Sequence, residues 1–298
     1  MLGKMSDYGI GNTPLVELPA IHGNRIFIKL EKENYLGSSK TRTGYQILHD
    51  LPPEADGRIL IESSSGNLGL SLGVFSKMIG REFLCLIDKT CTQAKVDKLE
   101  EAGIAYMMVE QEFGYDIRTS RMRKAQSMMD SGKYFWVNQY NNEACIRAHQ
   151  LSTGPEIWEQ TQQTVTHCVC AMGSGGTVVG IGRYLKSQNS EIKMCGVEPF
   201  GSTIYGTQCA PHINAGSGQT GKPGNIRNNP DIVDIPYTIP DQESIAYAQM
   251  LHYTYGLDVG ITSGMAYAGA VRIAQENQGA TIVCVAPDGR SAYGEYLY

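Results

Sequence analysis

Short apolar runs alternate with stretches of helical length along most of the chain. Residues 25–30, 58–62, 83–87, 104–109, 165–171, 192–197 and 281–286 are nearly continuous in apolar side chains, as strands covered on both faces are. Between and beyond them, 67–79, 92–102, 117–129, 143–160, 177–187, 242–255 and 264–278 have the length and composition of helices. Such alternation predicts an α/β fold of mostly parallel sheets flanked by helices. Residues 210–231 break the pattern, being rich in Gly, Asn and Pro without an apolar period. A loop of that length is usually functional or disordered.

Charge and composition narrow the function. The 298 residues carry 25 Lys plus Arg against 30 Asp plus Glu, a net charge of -5. That balance argues against a nucleic-acid groove or an anionic membrane surface. No apolar window reaches the roughly 18 residues of a membrane span, and the stretch 1–7 has no apolar core of a signal peptide. Of eight cysteines, five lie in the apolar runs, where a free thiol acts as a small hydrophobe. Cys168 and Cys170 share one strand face, and core packing outweighs a metal site without a second pair. The six histidines are scattered, so no metal is expected. A reduced, cytoplasmic protein is the simplest expectation.

The 34 glycines exceed the usual share of about 7 %, and they cluster. Ser64, Ser65, Gly66, Asn67, Leu68 and Gly69 follow the run ending near Glu62 and open a helix. This is either an anion site at a helix N-terminus or a Ser/Asn cap on a tight turn. Gly173, Ser174, Gly175, Gly176 and Thr177 stand between another strand and helix and suit a phosphate. Their spacing is neither the dinucleotide fingerprint nor a Walker loop. Gly37-Ser38-Ser39-Lys40 puts a lysine at a helix start, the wrong sign for the helix dipole. Desolvation there lowers an amine's pKa and favours imine chemistry. Lys29 is the rival amine, but on its strand it reads as a solvated rim group.

These clusters together resemble the cysteine synthase family of pyridoxal-phosphate enzymes, fold type II, over nearly the whole chain. Gly11-Asn12-Thr13-Pro14-Leu15-Val16, Lys29-Leu30-Glu31, Gln139-Tyr140-Asn141-Asn142, Thr153-Gly154-Pro155-Glu156-Ile157, Gly260-Ile261-Thr262-Ser263-Gly264 and Pro287-Asp288-Gly289 match further family segments in order. The resemblance implies that Lys40 is the Schiff-base lysine and general base. It places Asn67 at the cofactor's ring hydroxyl, Thr262 at the ring nitrogen and residues 173–177 at its phosphate. Ser64, Ser65, Gly66, Leu68 and Gln139 would take the substrate carboxylate. A neutral hydroxyl at the ring nitrogen makes a milder electron sink than a carboxylate. This suits loss of a β-leaving group and addition of a nucleophile to the resulting aminoacrylate.

The resemblance further implies a large domain of residues 1–34 plus 136–298, a smaller mobile domain of 35–135, a homodimer and small amino-acid substrates. Several positions depart from the family. Thr41 follows the lysine where an acid is usual, Leu68 replaces a Thr, and residues 216–225 and 290–296 differ. Ser65-Gly66-Asn67-Leu68-Gly69, residues 136–143 and residues 201–206 look nearer the branch making 2,3-diaminopropionate precursors. That branch joins an amino nucleophile to an activated serine. The expected reaction is therefore β-replacement on O-acetylserine or O-phosphoserine, by sulfide or by an amine. A serine or cysteine β-eliminase and a non-catalytic binding homologue are the alternatives. Arg147, Lys222 and Arg227 are candidates for an anionic substrate, with solvated surface charge as the competing reading.

Overall fold

The computed structural model describes residues 2–64, 66–214 and 216–297. Two sheets carry the chain. Strands β1 (Leu15–Ile21), β2 (Asn24–Leu30), β7 (His167–Ala171), β8 (Lys193–Pro199), β9 (Ile235–Ile239) and β10 (Thr281–Ala286) form one sheet in the order β1-β2-β10-β7-β8-β9. Only β1 runs antiparallel. Strands β3 (Ile59–Ser63), β4 (Phe83–Ile87), β5 (Ala105–Met108) and β6 (Tyr134–Trp136) form the other, all parallel, in the order β5-β4-β3-β6. The predicted strands are present within a residue or two. Strands β1, β6 and β9 are additional: β1 is interrupted by Glu17 and Pro19, β9 by Pro236 and Thr238, and β6 is only three residues long.

Helices cover both faces of both sheets, which is why the central strands are mostly apolar. Helices α1 (Lys40–His49), α2 (Asn67–Met78) and α3 (Gln93–Glu101) contribute Leu48, Leu72 and Leu99 to one core with Leu60 and Cys85 of the smaller sheet. Helix α4 (Ile117–Asp130) covers its other face through Ala125 and Met128. Residues 143–160 are helical as predicted but not regular. Helix α5 (Glu143–Ala148) passes through a π-helical turn at His149–Thr153 into α6 (Gly154–Gln160). Helix α7 (Gly176–Gln188) packs on the larger sheet with Val178, Ile181 and Leu185. The glycine-rich 210–231 segment includes one short helix, α8 (Gly224–Arg227). Helices α9 (Asp241–Tyr255) and α10 (Ile261–Glu276) cover the opposite face, and α11 (Gly294–Leu297) follows. No helix among the described residues is long and apolar enough to cross a membrane.

Lys29 corrects the reading made from sequence. It is fully buried in β2, between β1 and β10, and its Nζ donates to Thr13 O (2.7 Å), Glu156 Oε2 (2.7 Å) and Gln160 Oε1 (2.8 Å). Arg42, equally buried, bridges the same Glu156 to Glu31 (2.7 Å). Lys29 is thus a structural counter-ion that brings its own acceptors into the core, far from a solvated rim.

Candidate active site

Most loops at the site leave the C-terminal end of a parallel strand, where open α/β sheets bind ligands, while Thr262 comes from the first turn of α10, which follows α9. Ser64 and Gly66 follow β3, Gln139 follows β6, Gly173–Gly175 follow β7 and Asp288 follows β10. These residues line one cleft between the two sheets, together with Lys40, Asn67, Leu68, Thr177 and Thr262. The lysine loop is tied to the larger sheet, since Ser39 N donates to Pro287 O (2.8 Å) and Ser38 pairs with Asp288. Lys40 then opens α1 with its side chain toward the cleft.

No hydrogen bond or ion pair to a described residue engages the Lys40 amine. Burial lowers its pKa, with the charges of Cys145 and Asp288 opposing. The free amine is therefore more accessible than on a surface lysine. Burial likewise pushes Asp288 up to about 6, against the Tyr293 hydrogen bond and the charge of Lys40. Thr262 Oγ1 lies 2.7 Å from Asn214 Oδ1 and 2.6 Å from the Tyr293 hydroxyl, which donates to Asp288 Oδ2 at 3.2 Å. Asn67 Nδ2 faces the same Asp288 oxygen at 3.5 Å.

The glycine loop is shaped by close approach. Gly175 has φ +85°, and a Cβ there would lie 2.5 Å from Ile226; at Gly176 it would lie 2.8 Å from Cys145 O. The loop leads into the first turn of α7, whose leading amides have no partner within the helix. Thr177 Oγ1 contacts His149 Nε2 at 3.2 Å. His149 is kept neutral, burial holding it down at about 3. A desolvated amine with no partner among the described residues, an amide-rich phosphate cradle and a hydroxyl in the same cleft are the donor set pyridoxal phosphate needs. The residues fit the cofactor.

Other expected residues fall into place unevenly. Ser64 Oγ accepts from Gly69 N (3.3 Å). Leu68 borders the cleft but packs its side chain into the core of the smaller sheet, and Ser65 lies outside the described residues. Gln139 donates from N and Nε2 to Glu62 (3.3 and 3.2 Å), an acid that sequence reasoning passed over. Arg147 pairs with Asp50 (2.7 Å), Lys222 stacks over Tyr205 and Arg227 is exposed on α8. None of the three lines the cleft, so the surface-charge reading holds for them. The cations that do line it beside Lys40 are Lys95, Arg118 and Arg121. Their only sequence signal is the three-residue spacing of the two arginines, which puts them on one face of α4. Cys168 and Cys170 pack side by side, Sγ atoms 3.9 Å apart, in the core. No metal-binding cluster occurs among the described residues.

The chain as a whole is similar to known pyridoxal-phosphate enzymes. Residues 7–288 match the family model described as pyridoxal-phosphate dependent enzyme. The chain is 31 % identical to cysteine synthase B of Salmonella typhimurium over 95 % of its own length and 92 % of the relative's. It superposes on the crystal structure of cysteine synthase from Entamoeba histolytica with a TM-score of 0.88 at 30 % identity, covering 98 % and 89 % of the two chains. A hydrogen sulfide-producing enzyme from Fusobacterium nucleatum has a TM-score of 0.87 at 25 % identity, with 98 % of both chains covered.

Proposed function

Since the chain belongs to the pyridoxal-phosphate-dependent enzyme family, we propose that it catalyses β-replacement on an O-activated L-serine in the manner of a cysteine synthase. Acetate or phosphate leaves Cβ, and sulfide or an amine takes its place to give cysteine or another β-substituted alanine. The observation that carries this reading is the Lys40 amine, desolvated and without a hydrogen bond or ion pair to any described residue, at the ends of the parallel strands.

Bound pyridoxal phosphate supplies an aldehyde that condenses with amines and a ring that delocalises the electron pair released at the α-carbon. Residues 173–177 hold its phosphate, Asn67 its ring hydroxyl side and Thr262 its ring nitrogen. Lys40 Nζ accepts the α-proton and returns it after the nucleophile has joined Cβ. Ser64, Gly66 and Gln139 orient the substrate carboxylate. Residues 35–135 act as a smaller mobile domain, closing on the substrate and excluding water. A cytoplasmic homodimer completes the reading.

A second reading, β-elimination, is favoured by the likeness to the hydrogen sulfide-producing enzyme. One experiment separates the two. O-acetylserine and O-phosphoserine are offered in parallel with sulfide, ammonia or glutamate, and products are identified by mass. A β-substituted alanine supports the synthase, and pyruvate alone under every condition supports the eliminase. Lys40→Ala should lose turnover and the visible absorption of the covalently held cofactor; a variant that keeps both refutes the role of Lys40.

A further inference from the structure

Tyr293 and Asp288 have no part in the reaction outlined above, yet both are buried beside the hydroxyl of Thr262. Thr262 Oγ1 lies 2.6 Å from the Tyr293 hydroxyl, which in turn lies 3.2 Å from Asp288 Oδ2. Two glycines make room for this row. A Cβ at Gly216 would lie 2.6 Å from Thr262 Oγ1 and 2.7 Å from the Tyr293 hydroxyl, and one at Gly260 would overlap the Tyr293 ring. A hydroxyl has one proton to give and two lone pairs, so the row has a direction. With Asp288 ionised, Tyr293 donates to the carboxylate. Two oxygens 2.6 Å apart need a proton between them, so Thr262 must then donate to Tyr293. With a proton on Asp288 the order reverses: Asp288 donates to Tyr293, Tyr293 to Thr262, and Thr262 to an acceptor beyond. Asn214 Oδ1, 2.7 Å away, is one such acceptor. With that amide turned about, its Nδ2 instead fills the second lone pair of Thr262 and leaves the proton for the cleft.

We propose that Asp288 and Tyr293 are positioning residues that relay a proton through Thr262 to the ring nitrogen of the cofactor. The inference rests on the placement of Thr262 in the function proposed above. The Asp288 proton passes to Tyr293 Oη, the Tyr293 proton to Thr262 Oγ1 and the Thr262 proton to the ring nitrogen. A carboxylate is left at one end and a ring cation stands at the other, so the balance closes. Burial supports both members. It pushes Asp288 up to about 6, against the Tyr293 bond and the charges of Lys40 on α1 and of Lys95 and Lys98 on α3. Asn67 of α2 faces the same carboxylate without a charge. Burial, with the Asp288 charge behind it, raises the Tyr293 hydroxyl well above 10, which keeps it a neutral carrier. A lone threonine would leave the ring a mild electron sink. An acid two hydrogen bonds behind it makes that sink stronger and adjustable.

Holoenzyme loaded with pyridoxal phosphate carrying 15N in the ring tests the relay by NMR between pH 5 and pH 8. In the wild type the nitrogen signal should shift toward its protonated position as the pH falls. Tyr293→Phe keeps the ring packing and removes the hydroxyl, so the shift should be lost. Asp288→Asn removes the acid and should lose it too, which keeps the test open if the first variant does not fold. No such shift in the wild type, or a full shift in either folded variant, overturns the proposal. Thr262→Val checks the premise. It should also lose the shift, and a wild-type response there would remove Thr262 from the ring nitrogen and the relay with it. Absence of any β-substituted product would refute the β-replacement reading instead, while the nitrogen signal stays readable.

Discussion

Gln139 is held by Glu62, whose carboxylate receives both the backbone N–H and the side-chain amide of the glutamine at the end of β6. Burial pushes Glu62 up to about 7 from an ordinary 4.5, and the Gln139 bonds and the charge of Arg121 only partly oppose it. A folded state that binds a proton more tightly than the unfolded chain is favoured at low pH. The contribution is complete below pH 4.5 and is lost as pH rises through about 7, on the order of 3 kcal/mol. Glu62→Gln should remove this decline. Urea midpoints at pH 5 and pH 8 measure it, and an equal drop in variant and wild type would contradict the assignment.

Glu31, paired with Arg42, has the opposite sign. Arg42 lies between Glu31 and Glu156 and is fully buried with Glu31. Burial alone would raise Glu31, but the charge and hydrogen bonds of Arg42 outweigh it and hold the acid at about 2. Glu31 thus stabilises the fold above pH 4.5, and that contribution fades as pH falls toward 2. Arg42→Met strands a buried carboxylate and should cost about 3–5 kcal/mol. Adding Glu31→Leu should recover part of the loss. Chemical denaturation at pH 7 decides this, and a single variant as stable as wild type would show that the pair contributes nothing.

That network explains what the sequence conveyed and what it concealed. Strand runs such as 281–286 were legible because β10 is covered on both faces, whereas β9 carries Pro236 and is only partly buried. Lys40 and the 173–177 loop were legible because a cation at a helix start and a run of glycines each conflict with ordinary local preference. The motifs at 11–16, 29–31 and 153–157 turn out to converge away from the cleft. Thr13, Lys29, Glu31 and Glu156 meet around Arg42. Glu62, Arg118 and Arg121 were hidden, because a charge at a strand end or on a helix face reads as solvated until tertiary packing desolvates it.

The thiols should report the fold by their reactivity. Six of the eight cysteines are buried, Cys91 is partly exposed and Cys209 is exposed. Desolvation raises the thiols of Cys85, Cys195 and Cys284 well above the ordinary value of 9.0 and pushes Cys145 up to about 12, keeping them unreactive. Native protein at pH 8 should give rapid labelling of Cys209, slower labelling of Cys91 and the remaining six only after denaturation. Mass mapping of the labelled sites checks the order, and early labelling of Cys168 or Cys170 would contradict their core position.

Gly175 offers the sharpest test of the phosphate cradle, because two separate constraints require glycine there. Its φ of +85° costs an L side chain about 1–2 kcal/mol, and its Cβ would overlap Ile226 at 2.5 Å. Gly173, in the same loop, has its nearest Cβ contact at 3.5 Å and no positive φ. Gly175→Ala should therefore shift the turn that aims the first amides of α7, weakening pyridoxal phosphate at least tenfold in a titration of the apoprotein. Gly173→Ala should fold with an unchanged urea midpoint. Adding Ile226→Ala to Gly175→Ala relieves the overlap but not the dihedral strain, so affinity should return only in part. Full recovery would mean that packing alone fixes the loop, and cofactor binding undiminished in Gly175→Ala would take the cradle away from residues 173–177.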